Sequence, residues 1–411
     1  MTEISLAPIG ILLLVACLIA IVSRSFGLPY IVGLVGAGLL IALYPDTPKF
    51  PLSRDLIFNV FLPPLVFEAA LQLPWKGFRR ELPLTLVLAF AGVGVASAAV
   101  AAGMHYGLGW SWLGASLFAI LISATDPVSV IATFKDIKVE ERLRILVESE
   151  SLLNDGVAAV GFAVLVAIAG GASASVGSVV PAFIWTLGGG VLIGAGISAA
   201  ALMVGRRTDD HLVEITLTAL AAYGSFLIAE RFHASGILAS LTAGLMVGYF
   251  SRGAEPASDE RSPVADAWEF FAFLANSVVF LLIGIQEARV SIDRIGYVTA
   301  GVAILLVLLG RALAVYPITN LFRSSKLRVP AASQHVLFWG GLRGALALAL
   351  ALTVPASVAE RGPIIISAFI VVAFSIFVQG LTMPLLIKWL KIETNAKPRK
   401  KEPIAAPKPR A

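Results

Sequence analysis

Long apolar segments recur along the chain and are separated by short polar stretches. A helix needs roughly 20 apolar residues to cross about 30 Å of hydrocarbon. The pattern predicts thirteen membrane-spanning helices, although twelve or fourteen would also fit. The predicted spans are 4–23, 27–44, 55–73, 83–106, 111–134, 145–170, 176–205, 212–230, 235–250, 264–287, 295–322, 332–354 and 363–389.

Composition supports this pattern. The chain has 411 residues, of which 58% are hydrophobic and 14% are charged, whereas an average soluble domain has roughly 25% charged residues. Its mean hydropathy is +0.89. The sequence therefore predicts an all-α polytopic membrane protein. Cys17 is the only cysteine, which excludes an intramolecular disulfide and a thiolate metal cluster. No cofactor is expected.

The distribution of basic residues predicts the topology. Most lysines and arginines fall in alternate loops, and loops rich in them face the cytoplasm. The protein is therefore expected in a cell inner membrane or plasma membrane, with its N-terminus outside the cell and its C-terminus in the cytoplasm. The net charge of +5 then follows from topology, and no nucleic-acid partner is expected. Glu3 stands where a signal peptide would be positively charged, so 4–23 is interpreted as an uncleaved helix, with a cleaved signal peptide as the alternative.

A domain boundary is predicted near residue 390. Residues 1–390 would form the transmembrane domain. Residues 391–411 are rich in proline, lysine and arginine, and such a segment cannot bury a core. We therefore expect a disordered, basic cytoplasmic tail, which either fixes the topology or contacts anionic lipid.

Acidic residues interrupt one apolar span. Such side chains are costly at bilayer depth and usually mark an ion or proton pathway. The sequence there reads Glu148-Ser149-Glu150-Ser151-Leu152-Leu153-Asn154-Asp155. Helical spacing puts Glu150 and Asn154 on one face and Ser151 and Asp155 on the next. We expect the second pair to offer oxygen atoms to a cation and the first pair to face a neighbouring helix.

Helix breakers accompany two other acidic residues. Pro127 directly follows Asp126, and Pro63 and Pro64 precede Glu68 by one turn. A proline disfavours helical geometry at the preceding residue, so we expect the helix to open at Asp126 and expose carbonyl oxygens to a cation. No structural purpose explains buried carboxylates at Asp126 and Asp155 so close to helix breakers, which favours function.

Other polar residues at membrane depth are harder to assign. For Thr125 and Ser151, a helix-packing hydrogen bond is as reasonable as ion binding. Arg311 lies in an apolar stretch, and Arg343 lies among three glycines. An arginine at that depth must pair with an acid or with carbonyl groups. We therefore expect Arg311 or Arg343 to neutralise one of the acidic residues.

Taken in order, these motifs resemble those of the NhaP-type sodium/proton antiporters, relatives of the animal sodium/hydrogen exchangers. The resemblance covers nearly the whole membrane part of the chain. It implies thirteen spans in an inverted-repeat fold, a core domain beside a dimerisation domain, and a homodimer. It also implies two helices that unwind and cross in mid-membrane. The matching motifs are Pro63-Pro64, Thr125-Asp126-Pro127, Glu150 to Asp155, Arg311 and Gly341-Leu342-Arg343-Gly344.

The resemblance also implies a role for each site residue. Asp155 matches the ion-binding aspartate, and with Asp126 it would hold the transported Na⁺. Asn154 matches the neutral partner found in electroneutral exchangers, and Glu150 a structural acid paired with an arginine. Glu148 is a departure that not every member carries. The remaining matches are Thr125 and Ser151 as supporting ligands, Glu68 as a further acidic position, Arg311 as the partner of Glu150, and Arg343 as part of the second unwound segment.

The predicted function is electroneutral exchange of Na⁺ or Li⁺ for H⁺ by competition at Asp155, serving sodium transport or pH homeostasis. The expected partners are monovalent cations, protons, the bilayer and a second copy of the chain. A K⁺/H⁺ antiporter on the same scaffold is the close alternative, and a cation channel is a more distant one. An intramembrane protease could also use two aspartates, but the chain has no Gly-x-Gly-Asp motif. The protein is therefore not expected to be an enzyme.

Overall fold

A computed structural model describes residues 6–26, 29–43, 54–137, 139–172, 175–208, 210–251, 262–288 and 296–392. Helices dominate these ranges, and no β-strand element occurs among them. The predicted tail, 391–411, lies outside the described residues except for its first two positions.

The first half of the chain forms nine α-helices. They are α1 (Leu6–Phe26), α2 (Tyr30–Ala42), α3 (Arg54–Leu56), α4 (Leu62–Gln72), α5 (Trp75–Val87), α6 (Val93–Leu108), α7 (Trp112–Leu121), α8 (Val128–Ile137) and α9 (Glu141–Ala169). π-Helical turns at Ile57–Phe61 and Leu88–Gly92 join α3 to α4 and α5 to α6.

The second half continues the same architecture. Its helices are α10 (Val176–Gly205), α11 (His211–Arg231), α12 (Gly236–Ser251), α13 (Pro263–Glu287), α14 (Tyr297–Leu321), α15 (Ala331–Trp339), α16 (Ala345–Leu352), α17 (Arg361–Phe374) and α18 (Leu381–Trp389). A third π-helical turn, Ser375–Gly380, joins α17 to α18.

Within the described residues, seven helical stretches are long and apolar enough to cross a membrane. Shorter apolar helices accompany them, so the chain is a multi-pass membrane protein. The helix ends differ from the prediction in one instructive place. Trp75–Leu108 is one stretch of 34 residues, whereas hydropathy placed its start at residue 83. Lys76, Arg79 and Arg80 occupy its first turns, and an apolar pattern cannot show a helix that continues into charged sequence.

The helices pack mainly in two groups. α1, α2, α4 and α10–α13 make most of their contacts with one another, and α5–α7, α9 and α14–α18 form the second group. The strongest contact between groups runs from α9 to α10. Both interrupted regions described below belong to the second group.

Glycines allow the closest helix contacts in the first group. A Cβ atom at Gly38 of α2 or Gly284 of α13 would collide with the backbone of the other helix, and one at Gly194 of α10 would collide with Ala239 of α12. Helices in lipid associate through such van der Waals contact, because the bilayer supplies no hydrophobic driving force between them.

Candidate ion-binding site

Two helices are interrupted, and the interruptions touch. The chain leaves helical form after Leu121 and resumes it at Val128, and it does so again between Trp339 and Ala345. The amide of Asp126 donates to the carbonyl oxygen of Leu342 at 2.8 Å. Non-helical backbone at membrane depth must be buried in protein or line a cavity. Here the two unwound segments lie against each other, and a carbonyl group of the second accepts a hydrogen bond from an amide group of the first.

Asp126 lies at the start of two helices. Its Oδ1 accepts a hydrogen bond from the amide of Val128 at 3.0 Å, at the N-terminus of α8. Its carboxylate also lies against Gly344, the N-cap of α16, where an added Cβ would collide with it. Helix N-termini carry partial positive charge, and two of them lie against the Asp126 carboxylate.

Asp155 faces the first unwound segment from α9. Its Oδ1 accepts a hydrogen bond from the amide of Thr125 at 3.1 Å, and its side chain is only partly buried. Asp155 and Asp126 are close enough to repel each other when both are ionised. Asp155 forms no ion pair among the described residues, so its carboxylate is not held by an arginine.

Ser151 and Asn154 fasten α9 to the same segment. Ser151 Oγ donates to the carbonyl oxygen of Thr125 at 2.6 Å, and Thr125 Oγ1 donates to Ser151 Oγ at 3.2 Å. Asn154 Nδ2 donates to the carbonyl oxygen of Ser123 at 2.9 Å and to Thr125 Oγ1 at 3.2 Å. Thr125 and Ser151 thus have both a packing role and oxygen atoms beside Asp155.

The two buried arginines have different partners. Arg311 binds Glu150 through two hydrogen bonds, with Nη1–Oε1 at 2.6 Å and Nη2–Oε2 at 2.9 Å, and also donates to the carbonyl oxygen of Leu337. Arg343 Nη1 instead donates to the carbonyl oxygens of Ser123 and Ala124, at 2.6 and 3.1 Å. Of the two arginines, Arg311 is the one that forms an ion pair with an acid.

Part of the opened backbone is already engaged in hydrogen bonds. Its carbonyl oxygens were expected to bind a cation. Those of Ser123, Ala124 and Thr125 already accept hydrogen bonds from Asn154, Arg343 and Ser151. A carbonyl oxygen has two lone pairs, so cation binding by this backbone stays a prediction.

Glu68 lies on a different helix from the aspartates. It is on α4, is partly buried, and accepts a short hydrogen bond from Gln72 one turn further on. α4 packs chiefly on α12 and α13 and touches α9. Glu68 therefore lies on a helix of the other packing group.

A cavity of about 430 Å³ lies beside the C-terminal half of α9. Ala159, one turn beyond Asp155, lines it, as do Glu230, His233 and Thr353. Neither Glu230 nor His233 was predicted as a site residue, because nothing in the sequence pattern shows that the end of α11 shares a cavity with α9.

Comparison with known proteins identifies the family. The model of the transmembrane sodium/hydrogen exchanger family matches residues 11–389. The chain belongs to the sodium/hydrogen exchanger family. It is 39% identical to the Na⁺/H⁺ antiporter ApNhaP of Aphanothece halophytica, over 92% of this chain and 72% of that protein. It is 34% identical to the antiporter NhaH of Halobacillus dabanensis, over 93% and 97% of the two chains.

A solved sodium proton antiporter has the same fold. The sodium proton antiporter MjNhaP1 of Methanocaldococcus jannaschii superposes with a TM-score of 0.73 at 20% identity, over 93% of this chain and 97% of that one. An electron-microscopy structure of the same protein gives a TM-score of 0.78 at 18% identity. The family resemblance predicted from the motifs is therefore confirmed.

Proposed function

We propose that this exchanger family member carries Na⁺ and H⁺ in opposite directions by competition at Asp155. One observation carries the proposal: Asp155 is partly accessible, beside Thr125 and Ser151 oxygens, and forms no ion pair within the described residues. A bare carboxylate at low dielectric is costly, so a proton or a cation is favoured on it. Either ligand satisfies the charge, and binding of one displaces the other.

The other site residues have supporting roles in this proposal. Asp126, Thr125 and Ser151 complete the Na⁺ site with Asp155, and Glu68 attracts the cation from α4. Asn154 contributes no charge, so one cation replaces one proton and the exchange is electroneutral. The Glu150–Arg311 pair and Arg343 hold the unwound segments in place and take no part in binding. No resident cofactor is needed, because Na⁺ and H⁺ are the transported substrates.

The proposal extends to the assembly. The fold has thirteen spans with an inverted repeat. Its N-terminus lies outside and its C-terminus lies in the cytoplasm, which accounts for the positions of the basic loops. The group containing the unwound segments is the mobile core, and the other group forms a homodimer within a cell inner or plasma membrane. The cavity beside α9 is the route from Asp155 to the outer face.

The test is cation-driven proton movement in proteoliposomes, followed with a pH-sensitive dye. Addition of Na⁺ or Li⁺ should produce a signal, and an imposed membrane potential should not change its rate. Asp155→Asn should abolish the signal, whereas Glu214→Gln, which alters a carboxylate with 41% side-chain exposure on α11, should keep it. Activity in Asp155→Asn would refute the site.

The same preparation separates the alternatives. A signal with K⁺ and none with Na⁺ would favour the K⁺/H⁺ antiporter. Steady Na⁺ currents in voltage-clamped bilayers would favour a channel, because electroneutral exchange carries no net current.

A further inference from the structure

An aromatic and basic patch lies where three helix ends meet, at the start of α5 and the ends of α10 and α12. The Trp75 and Tyr249 rings are 6.0 Å apart, and the Tyr249 and Phe250 rings 5.0 Å apart. The Arg206 guanidinium lies over Phe250, 5.8 Å from the ring centre. These side chains form a continuous row and all four are exposed. We call this row and its neighbouring basic residues the α5–α12 patch.

The patch carries a strong positive charge. Lys76, Arg79 and Arg80 share one face of α5, since they are spaced by three and four residues, and all three are exposed. Arg207 adds a further exposed cation beside Arg206. These basic residues and the ring row make up the whole patch.

Within the described residues, one acid forms an ion pair with a patch cation. Glu81 follows directly on α5 but is buried, and both of its oxygens accept hydrogen bonds from Arg142, at 2.8 and 3.1 Å. Arg80 lies 3.6 Å from the same carboxylate, and the other patch cations form no ion pair with any residue in the described ranges.

The chemistry of the patch fits a lipid headgroup. Tryptophan and tyrosine concentrate at the level of the headgroups, and arginine binds phosphate with paired donors. The patch lies at the end of the helices that the proposed topology puts on the cytoplasmic side, where anionic lipids attract basic side chains. We propose that the α5–α12 patch binds an anionic phospholipid headgroup, whose acyl chains lie along the exposed rings.

Such a lipid would connect the two helix groups. Trp75, Lys76 and Arg79 belong to the group that contains the unwound segments, whereas Arg206 and Tyr249 belong to the other. α5 is fixed to the start of α9 through Glu81 and Arg142, and α9 carries Asp155 further along. A headgroup held by both groups therefore changes the rate at which one moves against the other. This consequence for transport rests on the proposed function, but the binding itself does not.

Binding can be tested without transport. The whole protein in detergent is mixed with phosphatidylglycerol. Native mass spectrometry then measures the retained lipid, and thermal unfolding measures the melting temperature. We expect retained lipid and a raised melting temperature for the native protein. Both should be lost in Arg79→Gln/Arg206→Gln. The matched control is Arg323→Gln/Lys326→Gln, which removes two exposed cations of the α14–α15 loop outside the patch and should behave as the native protein.

Each outcome decides the proposal. Equal lipid retention by the patch variant and the control would overturn the proposal, because lipid binding would then not depend on the patch cations in particular. Stabilisation by inorganic phosphate alone to the same extent would also overturn the lipid assignment. If the double variant does not fold, Arg206→Gln alone, at the end of α10, should show a partial loss of retained lipid, and unchanged retention would again contradict the proposal.

Transport gives a separate readout. In liposomes with phosphatidylglycerol, the patch variant should exchange Na⁺ at a rate different from the native protein, and the difference should disappear in neutral lipid. If the native protein retains lipid but the patch variant exchanges Na⁺ at the native rate, the lipid site stands and its proposed effect on transport is contradicted. Absence of exchange in the native protein would count against the proposed function and not against lipid binding.

Discussion

The backbone amide of Asp126 and the carbonyl oxygen of Leu342 are 2.8 Å apart, and their hydrogen bond joins the two unwound segments. Arg343, next to Leu342, donates back to Ser123 and Ala124 of the first segment. The two interruptions are therefore a single unit of structure, and a change in one should be felt by the other.

Gly344 tests this coupling. Gly344→Ala should lower both Na⁺/H⁺ exchange and the melting temperature, because its Cβ would collide with the Asp126 carboxylate. Gly362→Ala is the matched control, since a Cβ there meets no atom within 4 Å. Proteoliposome exchange and thermal unfolding in detergent measure the two effects. Full activity in Gly344→Ala would mean that Asp126 need not lie against α16.

Arg311 and Glu150 should stabilise the fold as a pair. Removing one partner of a buried ion pair strands the other charge and costs about 3–5 kcal/mol. Arg311→Met should therefore lower the melting temperature strongly, and Arg311→Met/Glu150→Gln should recover part of the loss. Arg323→Met, at an exposed arginine, is the control. A single variant as stable as the native protein would argue against the pairing.

Asn154 should be required as a hydrogen-bond donor. Asn154→Asp replaces the Nδ2 donor, 2.9 Å from the carbonyl oxygen of Ser123, with a second acceptor, and the two oxygens would repel. We expect a lower melting temperature and slower exchange. Asn320→Asp makes the same chemical change at an exposed position of α14 and should have little effect. Equal melting temperatures for the two variants would exclude a structural role for this donor.

Glu360 should give a pH-dependent contribution to stability. Partial burial raises its pKa, but hydrogen bonds from the amide and hydroxyl of Ser111 outweigh this, so the pKa lies below the ordinary value of 4.5. Folding thus favours the ionised form. The stabilisation is present above pH 4.5 and is lost as pH falls through the lower, folded-state pKa.

The corresponding experiment compares Glu360→Gln with the native protein across pH. Glu360→Gln should melt at a lower temperature than the native protein at neutral pH, and the difference should shrink on acidification. Glu214→Gln serves as the control. A difference that grows as pH falls would have the wrong sign.

The sequence predicted much of this architecture because its signals are local. Apolar runs located the helices, Pro127 located the first interruption, and the family resemblance at Gly341-Leu342-Arg343-Gly344 indicated the second. Asp126 and Asp155 were chosen as candidate site residues because carboxylates are rare at membrane depth. Each of these signals consists of residues that are close in the chain.

Local patterns alone could not predict contacts between distant residues. Helical spacing left open whether Arg311 or Arg343 would bind an acid. The family resemblance predicted the Arg311–Glu150 pair, which the structure shows. The hydrogen bonds to the Ser123 carbonyl were missed because they come from residues distant in the chain. Likewise, the approach of Trp75 to Tyr249 depends on packing between α5 and α12.

The position of Asp126 also bears on how selective the protein can be. Its carboxylate accepts a hydrogen bond at the first turn of α8 and lies against the first turn of α16. Part of that carboxylate is therefore already in contact with the backbone when an ion arrives. In the proposed site, selection between alkali metal ions by size would then depend on the positions of the Asp155 carboxylate and of the Thr125 and Ser151 hydroxyl groups.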